Sequence, residues 1–105
     1  MAKKPEPLKS LNADEREIIE RLHQSPDNAA EFCVNDFSFG RERFIRAMDN
    51  LFHNKFIDTP LCPKGPVSTT HMFFSFEKYI TDDDTKIEII KTDNSLRYIK
   101  KLALE

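Results

Sequence analysis

Between Gly40 and Thr59 the chain changes its hydrophobic period once, and that change limits the folds open to it. From Arg41 to Asn54 the run R-E-R-F-I-R-A-M-D-N-L-F-H-N has helical spacing. Phe44, Ile45, Met48, Leu51 and Phe52 gather on one side of a helix. Arg43, Arg46, Asn50 and His53 follow one another at intervals of three, four and three residues, so they line up as one exposed stripe. Immediately afterwards Lys55-Phe56-Ile57-Asp58-Thr59 alternates as a strand does. A helix that runs straight into a strand predicts an α+β domain.

The segment that follows, P-L-C-P-K-G-P-V-S-T-T, holds three prolines and a glycine, which forbid regular structure until about Val67. His71-Met72-Phe73-Phe74-Ser75-Phe76 then reads as a second strand. Strand, loop and strand together predict a hairpin with an extended tip at about 60–70. Upstream, Asn12 and Glu15 approximate a capping box for a helix from about Ala13 to Gln24, with Leu11, Ile18, Ile19 and Leu22 on its buried side. Ser25-Pro26 ends it, because proline disfavours helical backbone in the residue before it. The stretch from Asp27 to Phe39 admits a short helix or a strand over A-E-F-C-V. The composition of Phe, Cys and Val favours the strand, with a very short helix then expected at Asp36 to Phe39.

Residues 1–10, Pro- and Lys-rich and without period, read as a flexible arm. The domain proper is placed at 11–78, and 79–105 as an extension that packs on it or forms a dimer interface. Within that extension K-I-E-I-I-K suits a strand or one helical turn, and Asp93 or Asn94 offers a cap for a terminal helix with Leu96, Ile99, Leu102 and Ala103 on one side.

With 105 residues, 39% of them hydrophobic and 32% charged, one domain with its own core is expected. Nine phenylalanines and no tryptophan make phenylalanine the main source of core bulk. The net charge of −2 argues against non-specific coating of nucleic acid, which calls for a strongly basic protein. The charge is uneven, however. Between Arg41 and His71, Arg41, Arg43, Arg46, Lys55 and Lys64 stand against Glu42, Asp49 and Asp58, five minus three giving +2. No apolar run approaches the ~20 residues that span a membrane, and the N-terminus lacks the apolar segment of a signal peptide, so a cytoplasmic protein is expected.

The block G-R-E-R-F-I-R-A-M-D-N-L-F-H-N-K-F-I-D, with its Pro/Gly loop and aromatic strand, resembles winged helix-turn-helix domains of bacterial, phage and plasmid regulators and replication-associated proteins. The resemblance covers roughly residues 12–77. The recognition helix of that family commonly ends L-x-x-x-G-F-I; Leu51, Phe56 and Ile57 match, whereas Lys55 stands in the glycine's place, which leaves Asn54 to end the helix. The resemblance implies a three-helix core with a β-hairpin wing and binding of double-stranded DNA through Arg43, Arg46, Asn50 and His53, supported by Arg41, Lys55 and, in the wing, Lys64. Transcriptional regulation or an accessory role in replication would follow, with a homodimer if the terminal helix supplies an apolar face.

The acidic net charge and the long C-terminal segment motivate a second reading, a protein-interaction module on the same scaffold. Neither an enzyme nor a cofactor is indicated: Gly40 and Gly65 make no phosphate-cradling motif, and Asp82-Asp83-Asp84 lacks the glycine and distal glutamate of a calcium loop. Cys33 reads as a buried thiol and Cys62 as a loop thiol. A zinc site from His53, Cys62 and His71 would need a fourth ligand, and no metal is expected.

Overall fold

In the computed structural model, residues 10–61 and 74–104 are described. Helix α1 spans Ala13–Gln24. It begins where reciprocal hydrogen bonds can satisfy two otherwise orphaned groups: the Glu15 N–H donates to Asn12 Oδ1 at 2.8 Å and the Asn12 N–H to Glu15 Oε1 at 3.1 Å. It stops at Ser25, extended as the residue before Pro26 must be. Strand β1, Ala29–Phe32, falls within the expected region, and a single 3-10 turn at Val34–Asp36 follows it. The turn lies two residues before its expected place because the Asp36 carboxylate accepts from the Cys33 N–H at 2.9 Å and closes the turn there.

Helix α2, Arg41–His53, enters from Gly40 at φ +85°, backbone that suits a residue without a Cβ. Its exit differs from expectation. Asn54 keeps a negative φ of −95°, and Lys55 takes the left-handed position at φ +65°. The Phe56 N–H reaches Leu51 O at 2.8 Å and the Lys55 N–H reaches Phe52 O at 3.1 Å, the paired bonds of a Schellman motif. Phe56 and Leu51, both buried, make the apolar contact that goes with it.

Strands β2, Ile57–Asp58, and β3, Ile87–Lys91, complete a sheet of order β1-β3-β2, antiparallel throughout. Ile57 faces Lys91, and Phe32 faces Ile87. Among the described residues the partner of β2 is thus β3, and Phe74–Phe76, the described part of the expected aromatic strand, does not pair with it. Of that run, residues 71–73 lie outside the described part, Phe74 and Ser75 are irregular, and Phe76–Lys78 is a 3-10 turn. The physical reason is visible in both segments. The Phe76 N–H, which a ladder would need, is held by Asp49 at 2.8 Å, whereas Ile87-Glu88-Ile89 alternates buried, exposed, buried. Residues 62–70, most of the expected wing tip and the site of Lys64, lie outside the described residues.

Helix α3, Asp93–Ala103, is capped by Thr92 rather than by Asp93 or Asn94. Thr92 Oγ1 accepts from the Ser95 N–H at 3.3 Å and donates to Lys55 O at 2.7 Å, so one hydroxyl starts α3 and ties it to the end of α2. The segment after residue 79 therefore supplies the middle strand and the packed helix α3. Among the described residues the result is an α+β fold of three helices and a three-stranded antiparallel sheet. Its core joins Ile18, Ile19 and Leu22 of α1 to Phe44, Met48 and Leu51 of α2, with Phe56, Phe76, Ile80 and Ile89. No helix among the described residues is long and apolar enough to cross a membrane.

Candidate nucleic-acid interface

Helix α2 is flanked by two aromatic clusters, and these decide which of its polar residues face outward. On one flank Phe37 stacks on Phe39 at 5.1 Å and contacts Phe32 and Phe44. On the other, Phe52 packs against Phe74 at 4.8 Å and Phe76 at 6.0 Å. The second cluster brings the irregular segment 74–80 along the side of the helix. Three polar side chains of α2 fasten it there. Asp49 Oδ2 accepts from the Ser75 hydroxyl and Oδ1 from the Phe76 N–H, each at 2.8 Å. The Arg41 guanidinium donates to Ile80 O, and His53 Nε2 donates to Phe74 O at 2.8 Å.

Two of the expected contacts, Arg41 and His53, are thus engaged within the fold. Arg41 sits in the first helical turn, where its side chain lies over the returning chain rather than beside Arg46. His53 stays exposed, but its Nε2 is turned onto the Phe74 carbonyl. The rest of the stripe is open to different degrees. Arg46 is 70% exposed and lies 3.8 Å from Glu42, itself 89% exposed, a pair of the kind worth at most about 0.5 kcal/mol. Among the described residues no hydrogen bond or ion pair holds the Asn50 amide or the Lys55 ammonium, and both residues are exposed.

Arg43 is held most tightly. Its Nε donates to Asp14 Oδ2 at 2.8 Å and its Nη2 to Asp14 Oδ1 at 2.6 Å, a bidentate pair reaching across to α1. The guanidinium carbon also stands 5.5 Å from the centre of the Phe39 ring. The hydrogen bond to Asp14 moves the arginine above its already high ordinary value, so it is a permanent cation. A parallel arrangement lies beside it: Arg21 of α1 stands 4.6 Å over Phe37 and donates to Asp36 O.

Sequence periodicity missed Asp14 and Asp49 as partners. Asp14 lies 29 residues from Arg43, a separation at which local spacing carries no signal. Asp49 had a signal. It follows Ile45 by four residues and precedes Phe52 by three, which places it at the edge of the apolar side. Among the described residues no group of three or more His, Cys, Asp and Glu side chains is disposed to hold a metal ion. Cys33 is a buried free thiol, whereas Cys62 and His71 lie outside the described residues.

Behind this surface, where α1 meets α3, His23 Nε2 lies 2.9 Å from Ser95 Oγ. Ser95 is fully buried and its hydroxyl donates to Thr92 O at 2.8 Å, so the imidazole donates to the serine oxygen. Burial, followed by the nearby Lys91 ammonium, lowers the His23 pKa from its ordinary 6.5. The charged imidazole is therefore disfavoured only when the chain is folded. As pH falls below 6.5 the unfolded chain takes up the proton first, so stability is full above that pH and declines towards the folded-state value below it. Thermal midpoints taken across this window should drop on acidification, and His23→Gln should flatten part of the slope. An unaltered slope in that variant would remove His23 as the titrating group.

Comparison with family models, curated proteins and solved structures gives no match to this chain, so its reading rests on its own residues.

Proposed function

We propose that the chain is a DNA-binding module of winged-helix layout, with α2 as the helix that enters the major groove. The observation that carries the reading is the outer face of α2. Between two flanks occupied by aromatic clusters it leaves Arg46 and Asn50 exposed, continues to Lys55 at the helix end, and has Arg43 fixed at its margin. Arginine and asparagine are the side chains that fork onto guanine and adenine edges, and lysine neutralises phosphate. Among the described residues the element order helix, strand, 3-10 turn, helix, strand, 3-10 turn, strand, helix, with β3 between β1 and β2, is compatible with that layout. Arg41 and His53 leave the set of direct contacts and become supports of the helix. Lys64 lies outside the described residues and keeps its proposed role at the phosphate backbone.

So few cations predict weak, salt-sensitive binding by one chain. A fluorescence titration of mixed duplex DNA at low salt tests this, with Lys55→Gly and Arg46→Ala as probes. Lys55→Gly removes a non-glycine residue from left-handed backbone, so it should raise stability by about 1 kcal/mol while lowering DNA affinity. A variant that gains stability and loses affinity cannot owe the loss to misfolding. The double variant should reduce the slope of log K against log salt by about two.

The pairing of Arg43 with Asp14 and of Arg46 with Glu42 favours one other reading, a docking surface for a protein partner, because carboxylates beside the stripe repel phosphate. Absence of any DNA complex at low salt and on the order of tens of micromolar protein, where non-specific binders associate, would overturn the DNA reading in favour of this one.

A further inference from the structure

We infer that Asp14 is a positioning residue for DNA recognition, orienting the Arg43 guanidinium for a forked contact with a base or phosphate. This rests on the proposed DNA-binding role of α2. A guanidinium has five N–H groups in a fixed plane. Asp14 takes the Nε–H and one hydrogen of Nη2, along the side edge of that plane. The second Nη2 hydrogen and both Nη1 hydrogens remain, and one from each nitrogen forms at the far end a fork of two parallel donors, the geometry that meets guanine O6 and N7 or two phosphate oxygens.

The plane is restrained on its face as well as on its edge, because the guanidinium stands 5.5 Å from the Phe39 ring centre. The Asp14 side chain is only 16% exposed, whereas that of Arg43 is 60% exposed. The carboxylate is the sheltered anchor and the guanidinium the presented end. An unrestrained arginine must lose several rotatable bonds of freedom on binding, and this one is already ordered. Arg46, paired with Glu42 at 3.8 Å through a single nitrogen, lacks that restraint. The two arginines of one helix face therefore differ in restraint: Arg43 is held on its edge by Asp14 and on its face by Phe39, and Arg46 only by its exposed pair with Glu42.

A carboxylate near a phosphate backbone has by simple electrostatics the opposite effect, and this makes the inference testable by sign. If Asp14 only repels DNA, Asp14→Asn tightens binding. If it positions Arg43, the same change weakens binding, by roughly fivefold for partial loss of one forked contact. The experiment is a titration of duplex DNA with the full chain, its Asp14→Asn and Arg43→Ala variants and the double variant, each checked for an unchanged folded baseline by circular dichroism. The inference expects Asp14→Asn to weaken binding when Arg43 is present, and to leave binding unchanged or strengthen it when Arg43 is alanine. A merely structural role for Asp14 would weaken binding in both backgrounds and overturns the inference, as does tightening in both. Failure of the parent chain to bind any duplex at low salt is a different result and overturns the DNA-binding reading itself.

Discussion

Truncation of the chain after Lys78 is expected to abolish folding, although the residues removed read in the sequence as an addition to a finished domain. The sheet order places β3 between β1 and β2, and those two strands do not pair with each other. Removing Ile87–Lys91 therefore takes from both remaining strands the ladders that the described residues give them. The same truncation takes away Ile80, Ile87, Ile89 and Tyr98, which are at most 8% exposed in the folded chain. At ~1.5–3 kcal/mol for each large buried side chain, the loss is on the order of 6–12 kcal/mol, similar to the whole stability of a small domain. The Thr92 hydroxyl, which satisfies Lys55 O at the end of α2, goes as well. Circular dichroism and one-dimensional NMR of residues 1–78 should show a chain without cooperative thermal unfolding. A cooperative transition in that fragment would mean that the sheet can be completed in another way.

The elements were legible in the sequence where their cause is local. The helix from Ala13 is announced by the Asn12–Glu15 box and stopped by Pro26, and the structure follows both signals. Helix α2 is fixed by its apolar spacing and by Gly40. Strand pairing was not legible, because two segments offered themselves to β2. The aromatic run ending at Phe76 had the stronger strand composition, while K-I-E-I-I-K had the cleaner alternation. The choice between them depends on Asp49, 27 residues from Phe76, capturing the N–H that a strand would use. The left-handed helix exit was half legible: the missing glycine was evident, but Lys55 takes its conformation rather than passing it to Asn54.

The candidate site divides along the same line. That Arg43, Arg46, Asn50 and His53 share a stripe follows from 3.6 residues per turn. Which of them remain available follows from contacts made by distant segments, such as Asp14 on α1 and the Phe74 carbonyl. A helical wheel gives the direction of a side chain but not the neighbours that the fold brings to it. Cationic residues counted as one surface in the sequence therefore separate into supports, Arg41 among them, and residues open to a ligand.

Asp49 shows how far that separation changes an energetic expectation. As a solvated charge beside a basic stripe it should be replaceable by alanine at a cost within about 0.5 kcal/mol. As the carboxylate that receives the Ser75 hydroxyl and the Phe76 N–H, it has two charge-assisted hydrogen bonds, one of them to the backbone of a fully buried residue. Ser75 in turn caps the 3-10 turn Phe76–Lys78, its hydroxyl oxygen accepting from the Glu77 N–H, so removal of Asp49 leaves both the Phe76 N–H and the capping hydroxyl without their acceptor. Asp49→Ala should therefore cost about 3 kcal/mol, and Asp49→Asn, which keeps an acceptor and loses the charge, about half as much. Urea denaturation would separate the two expectations, and amide hydrogen exchange would locate the effect, with protection lost first at Phe76 and Ile80. An alanine variant as stable as the parent would mean that segment 74–80 is held by Phe74 and Phe76 alone. The energy matters to function because the same segment holds His53 and Arg41. Loosening it frees both side chains, so Asp49→Ala is expected to bind DNA more tightly than the parent while being less stable, on the reading of α2 as the DNA-contacting helix.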